Sequence, residues 1–257
     1  MARVLAVTNQ KGGVGKTTTG INLAASLART RKRVMLVDMD PQGNATTGSG
    51  VSKNDTLVTV YEVLIGAHRI EEAIVDTGSG YDLVAANSEL AGAQVELMEI
   101  ERRERRLRDA LEGVLDRYDY ILIDCPPALN ILTINALVAA NAVMIPMQCE
   151  YFAMEGLSSL VATIRKIRET HNPGLRIEGL LRTMFDARNS LSNEVSAQLR
   201  EHFGDKVYRT IIPRNIRLAE APSYGKPAIA YDAQSKGAQA YLALAGEILR
   251  RDQERAA

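Results

Sequence analysis

The stretch Lys11-Gly12-Gly13-Val14-Gly15-Lys16-Thr17-Thr18 decides the fold of this chain. An apolar run over 3–7 precedes it, and a helical pattern from Lys16 to about Arg29 follows it. Glycines let backbone N–H groups turn inward around phosphates, because no Cβ blocks the approach. The positive end of the following helix points at the same phosphates. Strand, loop and helix together therefore predict a site for a nucleoside triphosphate.

The loop side chains have distinct predicted roles. Lys16 is expected to reach the β- and γ-phosphates as a point charge. The Thr17 hydroxyl is expected to coordinate Mg²⁺, a hard cation that prefers oxygen ligands, and Thr18 to donate to the α-phosphate. The predicted nucleotide-binding residues of the loop are Lys11, Gly12, Gly13, Val14, Gly15, Lys16, Thr17 and Thr18.

One position departs from the general phosphate-loop pattern G-x-x-x-x-G-K-[ST]. Gln10 stands where the first glycine would fall, and Lys11 adds a second lysine before the double glycine. Because Lys16 already serves the chain's own nucleotide, Lys11 is predicted to reach across to the nucleotide of a partner. A cation delivered in this way would couple ATP binding to dimerisation and assist catalysis as an arginine finger does.

Apolar runs alternate with amphipathic segments along the chain. The runs lie at 3–7, 34–37, 120–123, 142–147 and 177–181, and they are typical of strands buried on both faces of a parallel sheet. Helices are predicted from Lys16 to about Arg29, from about Glu99 to Leu115, over 154–170 and from about Gly237 to Arg250. The pattern predicts an α/β fold with a doubly wound, mostly parallel sheet flanked by helices, as in phosphate-loop NTPases. Residues 1–257 are predicted to form one domain, with a long loop from Asp40 to about Asp55.

Three carboxylates follow predicted strands and are expected to face the phosphate loop. Asp38 and Asp40 follow the run over 34–37, and Asp124 follows the run over 120–123. Ligands of open α/β sheets lie beyond the carboxyl ends of the strands. We predict that Asp124 holds the Mg²⁺ water shell, that Asp40 orients the attacking water, and that Asp38 supports the metal shell.

Composition limits the classes of function. The 31 basic and 31 acidic residues cancel, so any binding to nucleic acid requires a local patch. The two cysteines, Cys125 and Cys149, fit neither a zinc site nor a disulfide framework, and they are predicted to be small core residues. No stretch has the ~18 consecutive apolar residues of a membrane span, and the C-terminal segment is polar. The chain is therefore expected to be cytoplasmic and not membrane-bound.

The phosphate loop resembles the deviant Walker A loop of the ParA/MinD ATPases. The likeness covers nearly the whole chain and includes blocks of chromosomal ParA proteins, also called Soj. The matching segments are Asp38-Met39-Asp40-Pro41-Gln42-Gly43-Asn44, Asp124-Cys125-Pro126-Pro127, Gln148-Cys149-Glu150-Tyr151, Thr183-Met184-Phe185-Asp186-Ala187-Arg188, Ile212-Pro213-Arg214-Asn215 and Glu220-Ala221-Pro222-Ser223.

The resemblance implies an ATP-driven switch. ATP and Mg²⁺ binding would join two subunits face to face, with Lys11 crossing to the partner's phosphates and Gly12 at the contact. Pro213 and Asn215 would contact the adenine. The ATP-bound homodimer would bind double-stranded DNA without sequence preference and associate with the nucleoid. A ParB-type centromere-binding protein would stimulate slow basal hydrolysis to ADP, and the cycle would segregate chromosome origins.

The DNA-binding arginines of the family correspond to Arg188 and Arg217. Arg214, Lys226 and Lys236 are further candidates nearby in the sequence. Contacts to phosphate carry no sequence information, so such residues suit nonspecific binding.

Three alternatives remain open from the sequence. A MinD-like membrane-associated positioning ATPase would need a C-terminal amphipathic helix, which the polar tail disfavours. An iron–sulfur relative would need suitably placed cysteine ligands, which Cys125 and Cys149 do not match. A scaffold that binds ATP without hydrolysis is disfavoured by the presence of Lys16, Asp40 and Asp124.

Overall fold

The computed structural model describes residues 1–256, and an eight-stranded sheet forms its centre. The strands are β1 (Arg3–Val7), β2 (Val34–Asp38), β3 (Ile74–Asp76), β4 (Asp82–Val84), β5 (Tyr120–Asp124), β6 (Ala142–Gln148), β7 (Arg176–Phe185) and β8 (Val207–Pro213). Their order across the sheet is β3-β4-β2-β5-β1-β6-β7-β8. All neighbours are parallel except β3 and β4, so the prediction of a mostly parallel sheet is confirmed.

Helices connect the strands and cover both faces of the sheet. They are α1 (Lys16–Arg29), α2 (Asn44–Gly48), α3 (Val60–Ile65), α4 (Leu90–Glu96), α5 (Arg106–Leu111), α6 (Ile131–Ala139), α7 (Ala153–Thr170), α8 (Ser190–Phe203), α9 (Ile216–Glu220), α10 (Ala228–Tyr231) and α11 (Lys236–Ala256). Two separate clusters of buried apolar side chains pack on the two faces. One lies under α1 and α11, and the other lies under the helices from α3 to α8.

The strand order places the carboxyl end of β1 at the centre of a crevice. β1 pairs with β5 on one side and with β6 on the other. The chain runs from β1 to β2 in one half of the sheet and later crosses from β5 to β6 in the other half. A ligand site is expected where the strand order reverses in this way. The phosphate loop follows β1 directly and therefore lies at that point.

Two predicted elements differ from the structure. The helix predicted from Glu99 to Leu115 is broken, because Arg102 has a left-handed φ of 56° and only α5 is α-helical. The long loop predicted from Asp40 to Asp55 contains the short helix α2. The strands β3, β4 and β8 were not predicted, since β3 and β4 have three residues each and β8 is irregular.

The other predicted strands and helices agree with the structure to within a few residues, although α11 extends beyond Arg250. Within residues 1–256, no helix combines the length and apolar character that crossing a bilayer requires. The assignment of residues 1–257 to one domain stays a prediction.

Candidate functional site

The phosphate loop is fixed to the sheet by polar side chains. The Asn9 amide donates to the Pro146 carbonyl at 2.8 Å, and the Asn9 side-chain oxygen accepts from the Lys11 N–H at 3.0 Å. The Thr183 hydroxyl donates to the Val14 carbonyl at 2.8 Å. The loop therefore has a defined shape, which lowers the ordering cost of binding a ligand.

Two glycines of the loop have backbone conformations that other residues rarely adopt. Gly13 has a φ of 72° and Gly15 a φ of 86°, both in the left-handed region. Gly15 is the cap residue of α1, so the turn it makes delivers the chain directly into the helix. The glycine pattern read from the sequence therefore has a conformational cause at these two positions.

Lys16, the first residue of α1, is a buried cation. Only 7% of the residue is exposed, and its Nζ donates to the Lys11 carbonyl at 3.0 Å. Burial lowers the pKa of Lys16, although the nearby charge of Asp124 acts in the opposite direction. Lys16 makes no ion pair within 4.0 Å among the described residues, so its charge is available to an anionic ligand in the loop.

Asp124 ends β5 and faces the same point. It is completely buried, and neither carboxylate oxygen has a hydrogen-bond partner among the described residues. Burial raises the pKa of Asp124 well above its usual value, the charge of Asp38 raises it further, and the Thr17 hydroxyl opposes the shift. A buried carboxylate without partners needs a cation, and Thr17 beside it supplies a second oxygen.

These two oxygen donors fit Mg²⁺. No group of three or more His, Cys, Asp or Glu side chains able to hold a metal occurs in the described part of the chain. Magnesium suits such a site, because it is usually bound through one or two carboxylates together with water and phosphate oxygens. Thr17 and Asp124 are therefore the residues that would hold the ion.

Asp38 lies beside Asp124 on the neighbouring strand but has different partners. Its Oδ2 accepts from the Thr46 N–H at 2.9 Å and from the Thr46 hydroxyl at 2.8 Å. Its Oδ1 accepts from the Asp40 N–H at 3.1 Å. Burial raises the pKa of Asp38 to about 6, and the hydrogen bonds from Thr46 oppose that shift. Asp38 thus fixes the turn that follows β2, and its predicted support of the metal shell stays a prediction.

Asp40 occupies the turn that Asp38 fixes. Its Oδ1 accepts from the Gln42 N–H at 3.0 Å, which orients the carboxylate. It lies close enough to Lys16 to raise the pKa of that side chain, an effect smaller than burial. Three side chains with predicted roles in ATP hydrolysis therefore lie together at the carboxyl end of the sheet: Lys16, Asp40 and Asp124.

Lys11 points away from the loop interior. Its Nζ pairs with Glu150 Oε2 at 2.5 Å, and the two side chains are 47% and 50% exposed. This contact was not predicted, since nothing in the sequence links the loop after β6 to the loop after β1. The Lys11 side chain therefore lies at the surface, paired with Glu150.

Pro213 and Asn215 line a cleft of about 160 Å³ beside the phosphate loop. Gly15 and Thr18 line the same cleft, so it is continuous with the predicted phosphate site. The cleft also contains Met184, which has a left-handed φ of 48°, unusual for a residue with a side chain. This strained position was not predictable from sequence, because the strain depends on the backbone at the end of β7.

Arg188 and Arg217 are exposed but paired with carboxylates. Arg188 contacts Asp186 through two hydrogen bonds of 3.0 Å and 2.8 Å and holds the pKa of Asp186 down to about 2. Arg217 contacts Glu220 at 2.8 Å and Asp232 at 3.2 Å. The other candidates, Arg214, Lys226 and Lys236, are also exposed. None of these contacts tests DNA binding, which stays a prediction for all five residues.

Comparison with known proteins identifies relatives over nearly the full length. A family model described as an AAA domain matches residues 2–177. The "Chromosome partitioning protein ParA" of Caulobacter vibrioides is 52% identical, over 99% of this chain and 97% of the relative. The "Chromosome-partitioning ATPase Soj" of Thermus thermophilus is 51% identical, over 98% of this chain and 97% of the relative.

Solved structures of similar proteins share the fold. A Mycobacterium smegmatis protein named cobyrinic acid a,c-diamide synthase, with bound ADP and magnesium, is 38% identical with a TM-score of 0.87. The alignment covers 98% of this chain and 96% of that one. The MinD protein of Pyrococcus horikoshii, complexed with Mg-ADP, is 26% identical with a TM-score of 0.81 and 96% coverage of both chains. By full-length identity above 50% to named members, this chain belongs to the ParA/Soj family of chromosome-partitioning ATPases.

Proposed function

We propose that this protein is an ATP-dependent dimerising switch that binds DNA nonspecifically in its ATP form. ATP and Mg²⁺ bind at the phosphate loop, with Lys16, Thr17 and Asp124 as the charged and metal-facing groups. Mg²⁺ supplies charge neutralisation to the phosphates when bound. Asp40, oriented by the Gln42 N–H, positions the water that attacks the terminal phosphate. Pro213 and Asn215 contact the adenine, since their cleft adjoins the loop.

The position of Lys11 and Gly12 carries the proposal of a dimer. Lys11 is half-exposed and directed away from the chain's own phosphate site. Gly12 has no atom within 4 Å of the place where a Cβ would stand, and its φ lies outside the left-handed region. The fold of the chain therefore does not require glycine at position 12, whereas a close approach of a second subunit would.

DNA binding by Arg188 and Arg217 requires an exchange of partners. Each guanidinium must leave its carboxylate to contact a DNA phosphate. Exposed ion pairs contribute only about 0–1 kcal/mol each, so this exchange is thermodynamically accessible. Each phosphate neutralised should add about 0.9 to the slope of log affinity against log salt for B-DNA. A ParB-type partner then stimulates hydrolysis and releases the subunits from the nucleoid.

The substitution Gly12→Val should block dimerisation without disturbing the fold of the single chain. The matched control is Gly174→Val, at an exposed glycine whose nearest contact to an added Cβ is an ordinary 3.7 Å. Both variants should unfold near the temperature of the wild type. With ATP and Mg²⁺, light scattering should show a dimer for the wild type and for Gly174→Val, and a monomer for Gly12→Val.

The same samples test the DNA step. Duplex DNA should bind the two dimeric proteins in ATP but not in ADP, with affinity that falls steeply with salt. Gly12→Val should bind nucleotide but not DNA. A Gly12→Val protein that dimerises and binds DNA like the wild type would refute the shared-site dimer.

A further inference from the structure

A second cleft opens on the edge of the sheet, away from the phosphate loop. Its volume is about 750 Å³, and it lies between the start of β8, the C-terminal end of α8 and the last turns of α11. The phosphate loop lies at the carboxyl ends of the strands, whereas this cleft lies towards the amino end of β8. Six of its lining residues are arginines and three are acidic. The cleft therefore has a local excess of positive charge in a chain with no net charge.

Arg182, on β7, is the buried cation of this cleft. It lines the cleft, is 2% exposed, and its Nη groups donate to the Ser196 hydroxyl and to the Tyr208 and Arg209 carbonyls. Its Nε has no hydrogen-bond partner, and no carboxylate lies within 4.0 Å of it among the described residues. The charge of Glu247 acts on Arg182, but that carboxylate is already bonded to Arg251 and to two backbone N–H groups. A buried charge without an ion pair is costly, and neutral donors would suffice for carbonyls and a hydroxyl. The hydrogen bonds of Arg182 within the chain therefore do not account for a charged residue at this position.

The surrounding arginines divide into paired and unpaired groups. Arg251 contacts Glu247 at 2.8 Å, and Arg255 contacts Glu178 at 2.8 Å. The remaining arginines of the lining make no ion pair within the part of the chain that the structure describes: Arg182, Arg200, Arg209 and Arg250. Arg200 lies near enough to Arg182 to lower the pKa of that guanidinium, an effect second to burial. Several like charges thus converge on one concave space.

We propose that this cleft binds a small anion that carries two or more phosphate groups. Arg182 provides the buried charge at the wall of the cleft. Arg200 and Arg209 provide exposed guanidinium groups that bind separate phosphates. Guanidinium groups suit this role because they form paired hydrogen bonds to phosphate oxygens. The volume is within the range of small-molecule sites, and a single phosphate would leave most of the arginines unused.

Isothermal titration calorimetry with inorganic tripolyphosphate tests the site. The protein is the full chain saturated with Mg-ADP, so that the phosphate loop is filled, and free Mg²⁺ is held constant. The primary variant is Arg200→Gln/Arg209→Gln, which changes exposed side chains only, whereas Arg182→Gln also removes buried hydrogen bonds. Arg165→Gln is the matched control, an exposed arginine on α7 outside the cleft.

Tripolyphosphate should bind the wild type and Arg165→Gln with equal affinity, and at least about tenfold more tightly than inorganic phosphate. The double variant should lose about tenfold or more, since one charge-assisted hydrogen bond contributes on that order. The proposal fails if tripolyphosphate does not bind in the presence of Mg-ADP, or binds all variants equally. It also fails if the double variant loses only ATP-dependent duplex DNA binding, because the cleft would then belong to a nucleic-acid surface.

Discussion

Replacing Thr46 by valine should destabilise the protein strongly although the two side chains have nearly the same shape. The Thr46 hydroxyl donates to Asp38 at 2.8 Å and accepts from the Ala86 N–H at 2.9 Å. All three groups are buried away from bulk solvent. The hydroxyl therefore links the turn after β2 to the strand end at β4.

The cost follows from the two bonds that valine cannot make. The Ala86 N–H would be left buried without a partner, at about 1–3 kcal/mol, and the Asp38 carboxylate would lose the hydrogen bond that the Thr46 hydroxyl donates to it, at about 1.5–3 kcal/mol for a charged acceptor. Together these amount to about 2.5–6 kcal/mol, less a small gain from the added methyl group. For a chain of this size we expect a fall in melting temperature of about 5 °C or more.

Urea and thermal unfolding, followed by circular dichroism, measure this difference directly. Thr47→Val is the matched control, because Thr47 is the next residue of the same short helix and is exposed. The control should stay within about 0.5 kcal/mol of the wild type. Equal stability of the Thr46 and Thr47 variants would refute the assigned role of the buried hydroxyl.

Three further results are expected. Glu178→Gln should lower the free energy of unfolding by about 1–3 kcal/mol, because Arg3 and Arg255 would lose the buried carboxylate that they share and keep only Asp252 as an acidic partner. Burial alone would raise the pKa of Glu178, but the arginines lower it, so the wild-type advantage should shrink in unfolding scans as pH falls below the ordinary value of 4.5. Burial raises the pKa of Cys149 to about 11, so its thiolate fraction at pH 8 is ~10⁻³. Iodoacetamide labelling, followed by mass spectrometry, should therefore be at least ~100-fold slower in the native chain than in the unfolded chain. Gly43→Ala should lower the free energy of unfolding in urea by about 1–3 kcal/mol, because Gly43 has a φ of 58° and the new Cβ would meet the Ala86 carbonyl at 2.6 Å. Equal stability of the Gly43→Ala and Gly174→Ala variants would contradict this.

The sheet was largely predictable because its central strands are buried on both faces. The apolar runs at β1, β2, β5, β6 and β7 are typical of such strands, since strands of a parallel sheet are covered by helices on both faces. The edge strands β3 and β8 and the strand β4 next to one edge were missed, because β3 and β4 are short and β8 mixes exposed and buried residues. The break near Arg102 was missed because a positive φ in a non-glycine residue has no signature in the sequence.

The site was predictable where function depends on local sequence and unpredictable where it depends on contacts between distant segments. The phosphate loop and the carboxylates at strand ends follow from strand–loop–helix order. The partners of Lys11 and Asp38 do not, because Glu150 lies 139 positions from Lys11 and Thr46 lies across a turn. The cleft around Arg182 depends on an irregular strand pairing that only the folded chain contains.

That irregular pairing has a consequence for self-association. Three residues of β7, from Leu180 to Arg182, oppose five residues of β8, from Val207 to Ile211. The bulge frees backbone groups on the edge strand, and Glu247 accepts two of its N–H groups while Arg182 binds two of its carbonyls. An open edge invites another chain to add a strand and begin aggregation, and the opposite edge, β3, is only three residues long. Both edges of the sheet are thus poor templates for strand addition, so a second copy of the chain would have to dock through side-chain surfaces, which can separate without disturbing the sheet.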